Sequence, residues 1–390
     1  MLEKENILEI DYSKFHCSKI SHQTFDCTLI LDLITQDFKH IPSEIIGESF
    51  LNRPIQLLKI GKGDIKVLLW SQMHGDEPTA TAAIFDILTF LSSDQSLALD
   101  LLQRLSLYFI PAVNPDGLES FTRRNAQQID VNRDFLSLQS PEANILKNTF
   151  EVIKPDFAFN LHDQSNLYTN TLNNLVGMAF LAPPSDSKLN ITWNRTQAMK
   201  VIVEMNHLVQ KLIPLQTAKF KDEFEPRAFG DNFQKACPTI LIESGFLPHD
   251  HEKQEIRKLN FYAIIKAFHA IGFQTYQEID LLNYAIIPSQ SINSIHLKIS
   301  NCHIKTKNGN FKVDIGLNYT SSFKPKERSL EKQFKIVELG DLKDLIAHQK
   351  IDAEDYVFEG DFEIERLANF KLKNESGEIL HEWKLGTQIR

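Results

Sequence analysis

Between Leu68 and Leu88 the chain reads LLWSQMHGDEPTATAAIFDIL, and an apolar run is broken by His74 and, three residues on, Glu77. Either the pair is a loop facing water, or it supplies two ligands of a metal. Zinc favours imidazole and carboxylate ligands, and a hydrolytic zinc site keeps one position open for water. His162, in FAFNLHD, is the best third ligand because it also ends an apolar run. No HExxH signature is present, so any such site is of another type. A water activated by a metal needs a base. Glu243, in TILIESGF, is placed to take its proton and pass it to a leaving nitrogen. A second H-x-x-E pair, His249/Glu252, lies in the polar run PHDHEKQE and reads as a solvated helix start.

The stretch FTRRNAQQIDVNRDF, residues 121–135, gathers Arg123, Arg124, Asp130, Asn132 and Arg133 with little regular periodicity. It is either a surface loop or an anion site. Arginine forks carboxylates in bidentate fashion, and a second Arg or Asn can hold an oxyanion.

The elements that carry these residues alternate. PIQLLKI and IKVLLW read as strands, the second apolar throughout as a strand buried on both faces would be. A helix follows at PTATAAIFDILTFLSS, then a strand at RLSLYFIPAV ending in NPDG, read as a turn. Helix PEANILKNTFEVI, strand PDFAFNLHD, helix TWNRTQAMKVIVEMNHLVQKLI, strand PTILIESG and helix HEKQEIRKLNFYAIIKAFHAIGF complete the series. Such alternation implies an α/β fold with a mixed, largely parallel twisted sheet and helices on both faces. Ligands of these folds collect at the carboxyl ends of strands, where His74, Asn114, His162 and Glu243 all fall.

From about residue 280 the pattern changes to period two, with NGN and NESGE as turns. The lysine-rich SSFKPKERSLEKQFK reads as an exposed loop between strands. The chain therefore divides into an N-terminal extension, 1–45, packed on the catalytic domain, an α/β domain, 46–278, and a β-rich accessory domain, 279–390, which is a candidate for oligomer contacts.

Composition narrows the partners. The 390 residues are 42% hydrophobic and 24% charged, ordinary for a globular protein. The net charge of −9 and the absence of a basic stripe argue against nucleic acid. No apolar run reaches the roughly 18 residues of a membrane span. The scattered Cys17, Cys27, Cys237 and Cys302 and the charged start without a signal peptide imply a cytoplasmic protein with reduced thiols.

Taken in order, H-x-x-E, N-P-D-G, R-x-N, D-x-N-R, His and Glu resemble the zinc carboxypeptidases of the carboxypeptidase A type over about residues 45–275. The resemblance implies one zinc ion on His74, Glu77 and His162, with Asp130 holding His74. It implies that Asn132 and Arg133 grip a substrate's terminal carboxylate and that Arg123, or in competition Arg124, polarises the scissile carbonyl. Glu243 would be the general base and acid. The family's Tyr that closes over substrate is missing, and Phe229 and Phe233 stand nearest its place. LHDQ adds Asp163 and Gln164 beside the third ligand. HGDE is also similar to the murein-peptide amidases and to the deacylases of the aspartoacylase and succinylglutamate desuccinylase type.

The first expectation is thus a zinc hydrolase that cleaves a peptide or small amide next to a free carboxylate. An amidase or deacylase of a cell-wall peptide or N-acyl amino acid is the second. A non-catalytic protein that binds carboxylate-bearing peptides is the third.

Overall fold

The computed structural model describes residues 7–390. The chain forms two compact units. The first holds the described chain through Asn166 with residues 170–172 and 176–290, and the second holds 167–169, 173–175 and 291–390.

The first unit contains strands β1 (Ser43–Glu48), β2 (Pro54–Ile60), β3 (Ile65–Trp70), β4 (Leu105–Ile110) and β5 (Phe157–Asp163). After the short β6 (Tyr168–Asn170), whose first two residues belong to the second unit, come β7 (Met178–Leu181), β8 (Thr217–Lys219) and β9 (Thr239–Ser244). Its helices are α1 (Cys27–Asp32), α2 (Thr79–Leu91), α3 (Ser96–Arg104), α4 (Pro115–Ser120) and α5 (Pro141–Ile153). They continue with α6 (Trp193–Leu212), α7 (Phe229–Phe233), α8 (Gln254–Gly272) and α9 (Leu282–Ala285).

Eight strands form one sheet in the order β1-β2-β4-β3-β5-β9-β7-β8. The centre, β4-β3-β5-β9, is parallel, while β2 against β4 and β7 against β9 are antiparallel. The expected mixed, largely parallel sheet is therefore present. From β3 the chain first adds β4 on one side and later β5 on the other. Ligands of such sheets bind where the strand order reverses, at the carboxyl ends of the strands, here β3 and β5.

Alternate side chains of β3 enter two different cores, as a strand covered on both faces requires. Val67 and Leu69 join the core of α2, α6 and α8, whereas Leu68 and Trp70 join Phe150, Phe229 and Phe233 on the other face. Phe150 and Phe233 stack at 3.7 Å, and Trp70 meets Phe233 edge-on at 5.4 Å. The N-terminal segment is tied to this unit by Arg257, fully buried on α8. Arg257 pairs with Asp86 of α2 and donates to the carbonyl of Cys17 at 3.0 Å.

Two local readings need correction. NPDG is not a turn but the start of α4. Asn114 Oδ1 accepts from the Gly117 N–H at 2.9 Å and Pro115 takes the first turn, the arrangement of an N-cap followed by proline. The lysine-rich segment is not a loop but the outer half of a long hairpin.

That hairpin belongs to the second unit. After β10 (Gln290–Ile292) come β11 (Ser294–Thr306), β12 (Gly309–Lys324), β13 (Ser329–Gly340) and β14 (Ile346–Asp352), then β15 (Val357–Gly360), β16 (Phe370–Lys373), β17 (Ile379–Lys384) and β18 (Thr387–Gln388). β12 and β13 stay paired out to Lys324 opposite Ser329. The period-two pattern continues there in polar residues, which masks the strand. Leu297, Ile299, Phe334, Phe370 and Trp383 fill this unit's core.

All four cysteines are free thiols. Among the described residues no single helix is long and apolar enough to cross a membrane.

Candidate metal centre

Two local devices present His74 and Glu77. Gly75 lets the loop after β3 pass against α4, since a Cβ there would lie 1.9 Å from the Gly117 carbonyl carbon. The Gly75 N–H donates to the Thr122 carbonyl at 2.9 Å, which binds this loop to the arginine-rich stretch. Glu77 directly precedes Pro78, the N-cap of α2. Asp76 does not cap this helix, which has no side-chain cap. Its carboxyl is half-buried, and burial together with the Glu77 charge raises its pKa to about 6.

His74, Glu77 and His162 converge. All three are buried and each offers a ligand atom, these atoms lying within 4.8 Å of one another. The two Glu77 oxygens each face one imidazole: Oε1 lies 2.8 Å from His74 Nδ1, and Oε2 lies 2.7 Å from His162 Nδ1. The far nitrogens are also engaged. Asp130 Oδ1 lies 3.1 Å from His74 Nε2, and Asn132 Nδ2 lies 3.3 Å from His162 Nε2. Carboxylates behind a ligating imidazole fix its orientation and raise its basicity.

This donor set fits zinc: two Nδ1 atoms and one carboxylate, buried and converging. The place also favours positive charge. Arg123 Nη1 lies 3.2 Å from His74 Nδ1 and 3.3 Å from Glu77 Oε1.

Protonation follows from these contacts. Burial disfavours charge on both imidazoles. For His74 it is outweighed by the Glu77 charge and by hydrogen bonds to Asp130 and Glu77, and its pKa rises to about 9. For His162, which lacks a second carboxylate, burial wins and the pKa falls. Glu77 is held well below the usual carboxylate range: burial would raise it, but the charges of His74 and His162 prevail.

Glu243 stands across from this cluster. It is the penultimate residue of β9 and is paired in register with His162 on β5. It is buried, and burial first, then the nearby Glu77 charge, push its pKa well above the ordinary value.

The arginine-rich stretch is held from behind rather than left free. Asn125 is buried, accepts from the Gln127 and Ile129 N–H groups and donates to buried Glu142 at 2.9 Å. Asp130 begins the short helical turn Val131–Arg133 and accepts from the Asn132 N–H at 3.0 Å. Arg123 reaches the cluster, donating through Nε to Asp130 Oδ2 at 3.1 Å. Arg124 does not: it is exposed and donates to the Gln128 carbonyl at 3.0 Å. Asn132 Oδ1 accepts from the Phe229 N–H at 3.1 Å, so its side chain bridges His162 and α7. Phe229 and Phe233 lie in the core, so neither covers the cluster.

Several neighbours carry no role in the sequence reading. Asp163 Oδ2 accepts from Thr79 Oγ1 at 2.5 Å and from Lys253 Nζ at 2.9 Å, and the Asp163 N–H donates to Glu77 Oε2 at 3.2 Å. Its unusual place after His162 was the only local signal. Glu225 and Arg227 stand by Arg133, and nothing in DEFEPR ties them to it.

Residues 29–174 match the zinc carboxypeptidase family. Carboxypeptidase 2 of Trichophyton rubrum is 32% identical over 100 residues, which are 25% of this chain and 19% of that protein. Carboxypeptidase B of Astacus astacus is 30% identical over 91 residues, 22% of this chain and 30% of that one. The match thus spans about a fifth of the Trichophyton relative's length. Among solved structures, a metallo-carboxypeptidase from Burkholderia cenocepacia superposes with a TM-score of 0.51 at 18% identity, covering 64% of this chain and 69% of its own. Bovine thrombin-activatable fibrinolysis inhibitor, solved with tick carboxypeptidase inhibitor, gives 0.52 at 14% identity, covering 65% and 98%. These likenesses show a carboxypeptidase fold. The cluster of His74, Glu77 and His162 lies within the stretch that matches the zinc carboxypeptidases, whereas Glu243 lies beyond it.

Proposed function

We propose that this chain is a zinc-dependent hydrolase that cuts an amide bond next to a free carboxylate. The observation that carries the reading is the buried convergence of His74, Glu77 and His162, with Glu243 in register beside His162. His74, Glu77 and His162 would hold one zinc ion. When bound there, zinc would lower the pKa of a water and polarise a carbonyl.

The chain's own groups do the rest. Glu243 takes the water's proton and returns it to the leaving nitrogen. Burial and the neighbouring Glu77 charge raise its pKa, which favours its holding the proton it takes before passing it on. Arg123, whose guanidinium already lies against the ligand atoms, steadies negative charge on the carbonyl oxygen. Arg133 takes the substrate's carboxylate, with Asn132 beside it. Asp130 keeps the His74 Nδ1 lone pair aimed inward. Arg124 has no part in this reading, because its guanidinium is spent on a backbone carbonyl.

The deciding experiment is product analysis. The zinc-loaded chain is incubated with peptides and with their C-terminal amides. Release of the last residue from the free acids but not from the amides is expected. Release of the acyl group from a parallel set of N-acyl amino acids instead would favour the amidase or deacylase reading. Zinc uptake without turnover on either panel would favour a binding protein.

A further inference from the structure

The Glu225 carboxylate stands between two arginines. Arg227 forks it, Nε donating to Oε1 and Nη2 to Oε2, each at 2.9 Å. The same Oε2 lies 3.4 Å from Arg133 Nε. Arg133 Nη1 donates to the Asn132 carbonyl at 2.9 Å, and the other carboxyls acting on Arg133 are Asp130 and Asp231. The loop is built to hold this arrangement. Asp231 Oδ1 accepts from the Glu225 N–H at 2.9 Å, and the Phe135 N–H donates to the Arg227 carbonyl at 3.2 Å.

A carboxylate on the Nε edge of an arginine is what a bound substrate acid would itself provide. We propose that Glu225 is an internal carboxylate occupying that edge of Arg133, and that it sets how tightly a substrate's free carboxylate binds. The proposal rests on Arg133 being the carboxylate-binding arginine. An incoming acid takes the Nε edge, and Glu225 falls back on Arg227. The exchange is easy for two reasons. The side chains of Arg133 and Glu225 are 35% and 29% exposed, so their pair is weak. Glu225 keeps its fork to Arg227 and is never left unpaired. A ligand without a carboxylate cannot make the exchange.

Glu225 acts through Arg133, so it is a positioning residue and its signature is in binding. The test titrates 3-phenylpropanoate and, as the uncharged control, 3-phenylpropanol into the zinc-loaded full chain by calorimetry. The proteins are the parent, Glu225→Gln, Arg227→Gln, their double variant and Arg133→Gln. Glu225→Gln should bind the acid about 2- to 5-fold more tightly, the scale of one exposed ion pair, and the alcohol unchanged. Arg227→Gln should weaken acid binding in the parent but have no effect in the Glu225→Gln background. On a cleaved peptide acid, Glu225→Gln should lower KM and leave kcat alone. An unchanged acid affinity in Glu225→Gln, or an equal effect of Arg227→Gln in both backgrounds, would overturn the exchange while leaving Arg133 its role. If Arg133→Gln binds the acid as the parent does, the reading of Arg133 itself fails.

Discussion

Asp130 Oδ1 lies 3.1 Å from Nε2 of His74, on the side of the ring opposite the nitrogen that faces Glu77. One carboxylate thereby decides which imidazole nitrogen is left to bind a cation. Replacing it should be felt at the metal before it is felt in the fold. Asp130→Asn should weaken zinc binding about 10- to 100-fold, read by competition with a chromophoric chelator. Unchanged affinity would mean that the His74 ring is held by packing alone.

Glu243 touches no ligand atom through a hydrogen bond, yet it is buried beside the Glu77 charge. Glu243→Gln should keep full zinc content and lose about 10²- to 10⁴-fold in kcat. Metal analysis and single-turnover rates check both halves. A variant as active as the parent would remove Glu243 from the mechanism.

The raised pKa of His74 makes metal binding depend on pH in a definite direction. In the metal-free chain His74 keeps its proton up to about 9, against 6.5 for a free imidazole. Zinc must displace that proton, so zinc affinity should rise with pH across this window, by up to about tenfold per unit. Metal-free stability should move the other way. The protonated ring is favoured by the fold, so its contribution is complete below 6.5 and is lost as pH rises toward 9. Zinc competition and urea unfolding at pH 6, 7.5 and 9 test the two signs.

Asp163 and Lys253 form a largely buried pair, their side chains 5% and 17% exposed. Lys253→Met leaves a carboxylate without its counter-charge next to Glu77 and should cost about 3 kcal/mol in urea unfolding. The double variant Asp163→Asn with Lys253→Met should recover most of it. Equal losses in both would show that packing of the lysine stem is what matters.

Phe233 stacks on Phe150 and closes the core beneath the Asn132 turn. Phe233→Ala should destabilise by about 3–5 kcal/mol while leaving zinc stoichiometry at one. A large loss of zinc in the folded variant would couple this core to the ligands more tightly than the contacts suggest.

Local pattern carried much of this protein. The alternation that defines β3, β5, β9 and their helices is written in short-range periodicity, and so are the strand ends that bear His74, His162 and Glu243. Their residue types are ones from which a cation site of imidazole and carboxylate can be built. Where pattern was ambiguous it misled. Asn-Pro-Asp-Gly serves a turn or a capped helix equally well, and a strand of polar residues reads as a loop.

What only the tertiary structure decided is which groups meet. Glu77 and His162 are 85 residues apart, and they touch because β3 and β5 lie side by side and parallel in the sheet. The R-x-N spacing favours Arg123 and leaves Arg124 in competition; the fold turns Arg123 toward His74 and spends Arg124 on a carbonyl. Glu225 and Lys253 are ordinary surface charges in the sequence. They find Arg133 and Asp163 because contact between distant segments depends on sheet order and loop path, which no local periodicity encodes.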